Sequence, residues 1–210
     1  MNWLAHLLLS KRDVEYQLGN FLADPLKGKL WEGASDSMGH GMKMHKAIDI
    51  FTDAHPIVSK SKSRLGEKGY LKGVIIDLLY DHFLALNWDT YAVESQSEFL
   101  QTFNVAALKV SDNYPSQTKL IINKLVGSGY LGKYIEFEGF VESLRRIDNR
   151  LSARIKAKDS ALNYIVLVER EFSNLKADFD LFFPELIEFF KNHELGSVSD
   201  NYLVINGNSK

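Results

Sequence analysis

Apolar positions recur along this chain with the spacing of helices rather than the alternation of strands. The pattern predicts helices over 2–10 and 13–23, the second stopping short of Pro25 because the residue before a proline avoids helical geometry. Residues 26–37, with Gly28, Gly33 and Ser35-Asp36-Ser37, read as a loop. A helix over 38–54 follows, and Pro56 opens a basic segment as a first-turn proline would. The segment 70–88 is the most apolar. Val74, Ile75, Leu78, Leu79, Phe83 and Leu86 cover much of its circumference, which predicts a central, buried helix packed against those bearing His6 and His45. Amphipathic helices are expected over 95–111, 115–126 and 136–151, then a long one over 158–191 broken or kinked at Pro184. The expected fold is an all-α single domain, a helical bundle over 1–192, with a polar, frayed tail over 193–210.

Composition mainly excludes. A chain of 210 residues fits one domain, and 45% hydrophobic with 25% charged residues is ordinary for a soluble protein. With no cysteine there is neither a disulfide nor a thiolate metal site. The apolar run at 1–10 lacks the basic lead and the small-residue cleavage pattern of a signal peptide. The stretch 73–86 is too short to span a bilayer and contains Asp77, Asp81 and His82. A cytoplasmic protein is expected, with neither membrane nor nucleic acid as partner. The net charge of −2 says little, but its distribution says more. Lys60, Arg64, Lys68 and Lys72 recur every four residues and would form a basic ridge if the segment were helical, although Gly66 and Gly69 weaken that assignment. The ridge reads either as a solvated face or as a docking surface for an acidic partner or phosphate.

The chemistry lies in Asp and His at helical spacing. His45 and Asp49 stand four apart, as do Asp77 and Asp81, with His82 next in line. Residues i and i+4 share a helix face, so each pair can aim two groups at one point. His6 lies in the first apolar helix and Asp24 closes the second. Two carboxylates about 4 Å apart repel by about 4 kcal/mol at an effective dielectric near 20, so a buried helix carrying both calls for a cation. Taken singly, His6 reads as a core histidine, His45/Asp49 as a surface hydrogen bond, and Asp53 or Asn20 as local features. The recurrence on three apolar helices shifts the reading to a divalent ion such as Mn, Fe or Zn held between helices. Such an ion, with a neighbouring carboxylate or histidine as acid or base and an Arg or Lys on the phosphoryl charge, suits phosphate ester hydrolysis.

Several runs carry a resemblance: Met-Asn-Trp-Leu-Ala-His-Leu-Leu-Leu-Ser at the start, Gly-Asn-Phe-Leu-Ala-Asp ending at Asp24, Met-His-Lys-Ala-Ile-Asp-Ile-Phe-Thr-Asp from Met44, Asp-Leu-Leu-Tyr-Asp-His-Phe-Leu from Asp77, and Phe-Asp-Leu-Phe-Phe-Pro-Glu-Leu near the C-terminus. Together they closely resemble the acyl carrier protein phosphodiesterase family, in order, from residue 1 to about 190. The resemblance implies an HD-domain-like, metal-dependent hydrolase that cleaves the 4′-phosphopantetheine–serine phosphodiester of holo acyl carrier protein. It implies manganese as the usual ion, with magnesium or iron as alternatives. It implies His6, Asp24, His45, Asp49, Asp77 and Asp81 as candidate ligands. Asp24, Asp77 and His82 become candidate catalytic groups, and Lys46 or Arg150 the phosphate contact. Asp81-His82 reverses the His-Asp order of ordinary HD proteins, so ligand roles do not transfer from them. Lys43 replaces a histidine of some members, and Ala47 a basic residue of many. The ridge at Lys60, Arg64, Lys68 and Lys72 would then receive the acidic carrier. An HD-like hydrolase of small phosphodiesters and a non-catalytic carrier-binding module are the competing readings.

Overall fold

A computed structural model describes residues 1–204. Helix α1 (Trp3–Leu8) is too short to stand alone in water, and a carboxylate from elsewhere supplies its start. Asp81 accepts the backbone N–H of Leu4 at 2.7 Å and of Ala5 at 3.2 Å, while the Asn2 side chain accepts that of Trp3. Helix α2 (Val14–Leu22) is capped by Asp13 and α3 (Asp36–Ala54) by Ser35, each bonding first-turn N–H groups as helix starts require. Those two helices meet backbone to backbone. A Cβ on Gly19 would run into the carbonyl of Met38, and one on Gly41 into that of Tyr16. The missing side chains let the Asn20 carbonyl reach the ring of His45.

Helix α4 (Pro56–Arg64) has proline in its first turn, then α5 (Lys72–Leu86), α6 (Trp88–Tyr91) and α7 (Gln96–Ser111) follow, the last begun by a Ser95/Glu98 capping box. Next come α8 (Ser116–Gly127), α9 (Phe137–Arg150), α10 (Ala153–Lys156) and α11 (Ile165–Asn192), with 3-10 segments at Tyr130–Ile135 and Ala161–Tyr164. The protein is all-α; among the described residues the only strand-like pairing is the bridge between Ala92 and Leu203. Helix α5 is central, as its pattern implies: Ile75, Ile76, Leu79, Tyr80, Phe83 and Leu84 are fully buried. It packs on α1, α4, α9 and α11, whereas α3 packs chiefly on α2. Val74 and Leu86 stay exposed, so the apolar cover is narrower than their presence suggested. Helix α11 runs through Pro184 as one element and buries Phe179, Phe182, Phe183 and Phe190.

Three expectations are corrected. The last long helix begins at Ile165, not 158, because Asp148 accepts the N–H groups of Ala161 at 2.6 Å and Leu162 at 3.3 Å and draws that stretch to α9. The basic segment does not continue as a helix past Arg64, since Gly66 and Gly69 adopt φ of 95° and 145°. Residues 193–204 are not a frayed tail. They return along α6, with Val93 N–H to Tyr202 O at 3.0 Å and Val204 N–H to Tyr91 O at 2.9 Å, and Leu203 is buried. Residues 205–210 lie outside the described residues. No helix among the described residues is long and apolar enough to cross a membrane.

Candidate metal centre

His6 of α1 meets His45 and Asp49 of α3, with one ligand atom from each lying within 4.8 Å of the others. The two imidazoles stack with centroids 3.9 Å apart. Asn20 orients both. Its Nδ2 donates to the carbonyls of His6 at 2.7 Å and Leu9 at 3.0 Å, so Oδ1 is the atom that faces His6 Nδ1 at 2.9 Å. Its backbone carbonyl lies 2.7 Å from His45 Nδ1. Both acceptors fix the ring proton on Nδ1, leaving each Nε2 with a lone pair directed inward. There each Nε2 stands 3.2 Å from an oxygen of Asp49. Among the described residues, neither buried Nε2 has a hydrogen-bond partner. With both rings neutral, two lone pairs would confront a carboxylate, at a cost of about 1–3 kcal/mol each in a buried place. A divalent cation relieves both at once, so the donor set fits a metal.

The electrostatics agree. Burial holds His6 below its ordinary pKa. Burial acts the same way on His45, but Asp24 and Asp49 outweigh it and push that ring up to about 9. Burial works to raise Asp49, yet His45 and His6 hold it well below the usual carboxylate range. Without a metal, a proton on His45 occupies the place of the cation.

Around this centre the sequence candidates separate. Asp24, exposed at the rim, lies 3.5 Å from His45 Nε2, and His45 lowers its pKa. Asp77 of α5 is 3.0 Å from the Met1 amine, which is 3.7 Å from Asp49. Asp81, one turn further along α5, departs from the expected convergence: it is fully buried, and both its oxygens accept N–H groups of α1. Burial pushes its pKa up to about 7. His82, expected as a catalytic group, likewise lies apart from the centre. Its Nδ1 bonds the Tyr134 carbonyl at 2.6 Å, and its ring packs among Phe83, Phe137, Phe140 and Phe172. Lys46 is exposed and outside the adjoining cleft.

That cleft, about 700 Å³, has an acidic side at Asp24 and Asp77 and a basic side at Lys124 of α8 and Arg146 and Arg150 of α9. Between them lie apolar side chains including Trp3, Val74, Leu78 and Ile121. Arg150 was legible from the resemblance; Lys124, Arg146 and the bridging role of Asn20 were not. Polar faces of amphipathic helices look solvated until their neighbours are known, and an Asn after Gly looks like a turn.

The four basic residues do not form one continuous helical ridge, although Lys60 and Lys68 are exposed. Arg64 Nε lies 2.7 Å and Lys60 Nζ 3.0 Å from the buried carboxylate of Asp178. Lys72 caps the carbonyls of Gly66 and Glu67, and Lys68 sits in the connecting loop. Arg64→Ala is therefore expected to lower stability by about 3 kcal/mol, as when one partner of a buried ion pair is removed. Urea unfolding checks this, and activity per folded molecule should not change. A raised KM at unchanged stability would restore the docking ridge.

The family profile described as acyl carrier protein phosphodiesterase matches residues 1–186. The chain is 27% identical over 190 residues to an acyl carrier protein phosphodiesterase of Yersinia pestis, spanning 89% of this chain and 96% of that protein. It is 25% identical over 197 residues to one of Enterobacter sp. strain 638, spanning 93% and 100%. A Photorhabdus laumondii protein of the same name is 37% identical over 91 residues, 42% of this chain and 46% of that one. No solved structure matches. The matched region contains every residue of the centre and of the cleft beside it, and the chain belongs to the acyl carrier protein phosphodiesterase family.

Proposed function

We propose that this protein is a metal-dependent phosphodiesterase acting on holo acyl carrier protein. It would hydrolyse the bond between 4′-phosphopantetheine and the carrier serine, releasing apo carrier protein and 4′-phosphopantetheine. The observation that carries the metal dependence is the pair of buried Nε2 atoms, on His6 and His45, turned onto Asp49 with no hydrogen-bond partner among the described residues. When bound by these three residues, a divalent ion, manganese by family resemblance, supplies polarisation of the phosphoryl group and a lowered water pKa.

The remaining work falls to the chain. Asn20 holds both imidazoles in the tautomer that presents Nε2. Asp24 is exposed beside His45, so it can take a proton from the attacking water at the open rim. The proton taken by Asp24 passes through solvent at the open rim to the serine oxygen that leaves, and Asp77, which lines the same cleft, holds the Met1 amine at 3.0 Å. Arg150 meets the phosphoryl charge from the other side. The kinship with HD-domain phosphohydrolases and a cytoplasmic location belong to the same proposal. Support for the kinship comes from His and Asp gathered from separate helices of an all-α fold.

The test is direct. Purified protein is incubated with holo carrier protein and Mn²⁺, and the carrier is weighed by mass spectrometry. Loss of the phosphopantetheine arm, stopped by EDTA, is expected. An intact carrier alongside hydrolysis of a small phosphodiester would instead make this a small-molecule phosphohydrolase.

A further inference from the structure

The basic side of the cleft holds more charge than the reading above uses. Arg146 is held by Glu142 at 2.6 Å, one turn back on α9, which fixes its guanidinium in place. Lys124 and Arg150 make no ion pair among the described residues. Acidic residues of α9 do not cancel them: Glu142 is shared between Arg146 and Lys133, and Asp148 is turned to the N–H groups of Ala161 and Leu162. Three cations thus meet at one concave surface. Beside them runs an apolar strip, Val74 and Leu78 of α5 with Ile121 and Leu125 of α8. A cationic group next to an apolar channel suits a ligand with an anionic head and an uncharged arm. Guanidinium and ammonium donors together suit the several oxygens of a phosphoryl group.

We infer that Lys124, Arg146 and Arg150 form a phosphoryl-oxyanion site, and that the strip beside them seats the arm of a phosphorylated ligand. The identity of the natural ligand rests on the phosphodiesterase reading, in which the head is the phosphate and the arm is pantetheine. The site itself does not require a metal. It differs from the centre at His6, His45 and Asp49 in charge, in helices and in the chemistry it selects.

The protein, stripped of metal with EDTA, is titrated by calorimetry with inorganic phosphate and with n-butyl phosphate. Both are expected to bind saturably, the butyl ester several-fold more tightly. The double variant Lys124→Ala/Arg146→Gln should weaken both by about tenfold or more, the loss of charge-assisted hydrogen bonds. Arg146→Lys should keep part of the affinity. Val74→Asn, at an exposed position, should remove the butyl advantage and leave phosphate binding unchanged. Thermal melts establish that each variant is folded; should the double variant be unfolded, Arg150→Gln takes its place with the same expected loss. Phosphate binding seen only with metal present, or unchanged in the folded charge variants, overturns the site. Equal affinity for the two ligands overturns the strip. If phosphate binds but holo carrier protein is not hydrolysed, the functional reading fails and the site stands.

Discussion

Asp49→Asn is expected to abolish metal uptake and to lower kcat at least about a thousandfold, roughly 4 kcal/mol of lost transition-state stabilisation, with the helices intact. Asp49 is the acid that both Nε2 atoms face, at 3.2 Å each. Asparagine keeps its volume and removes its charge. Its amide N–H can donate to one imidazole lone pair, which meets part of the need that the cation otherwise meets. Folding should therefore survive where binding does not. Circular dichroism, equilibrium dialysis against Mn²⁺ and the carrier mass assay check the three parts separately. In the parent protein the proton that Asp24 and Asp49 hold on His45 up to about pH 9 must leave when a metal enters. Apparent affinity should accordingly rise as pH is raised towards 9, with proton release on binding. A pH-independent affinity would mean that His45 is no ligand.

Asp81→Ala is expected to fail in the opposite way, losing stability first. The change strands the buried N–H groups of Leu4 and Ala5, at about 1–3 kcal/mol each. For a chain of this size that corresponds to a melting temperature lower by roughly 5–15 °C. Helix α1 carries His6, so weakened metal affinity follows as a consequence. The sign of the pH dependence separates this from ligation. The folded pKa of Asp81 is raised to about 7, above the unfolded value. Its contribution to stability is thus full below about pH 4 and is lost as pH rises through 7. The deficit of Asp81→Ala should be larger at pH 5 than at pH 8. A variant with parental stability at both pH values and no metal binding would make Asp81 a ligand after all.

Helix positions were legible because apolar spacing acts locally: the helices capped by Asp13 and Ser95 begin where the pattern places them, and the one capped by Ser35 begins two residues before its expected start. The stretch before Ile165 was not, because a distant carboxylate, Asp148, decides it. The same distinction runs through the site. Spacing of four correctly put His45 and Asp49 on one face. Applied to Asp77 and Asp81 it could not tell depth: one turn along α5 separates a carboxylate in the cleft from one sealed beneath α1. A single further residue turns His82 by about 100° around the helix, into the aromatic core. The basic ridge failed for two reasons. Glycines at positive φ end its helix, and Asp178, over a hundred positions away, claims Lys60 and Arg64. Charge spacing along a chain does not reveal which counter-ions the fold will deliver.

Anomalous scattering from crystals of the Mn²⁺-loaded protein tests the central claim most directly. The account predicts one strong peak beside the stacked imidazoles, within about 2.3 Å of His6 Nε2, His45 Nε2 and an oxygen of Asp49, with Asp81 still bonded to α1. A peak coordinated by Asp81, or both Nε2 atoms hydrogen-bonded to protein with manganese bound elsewhere, would contradict it.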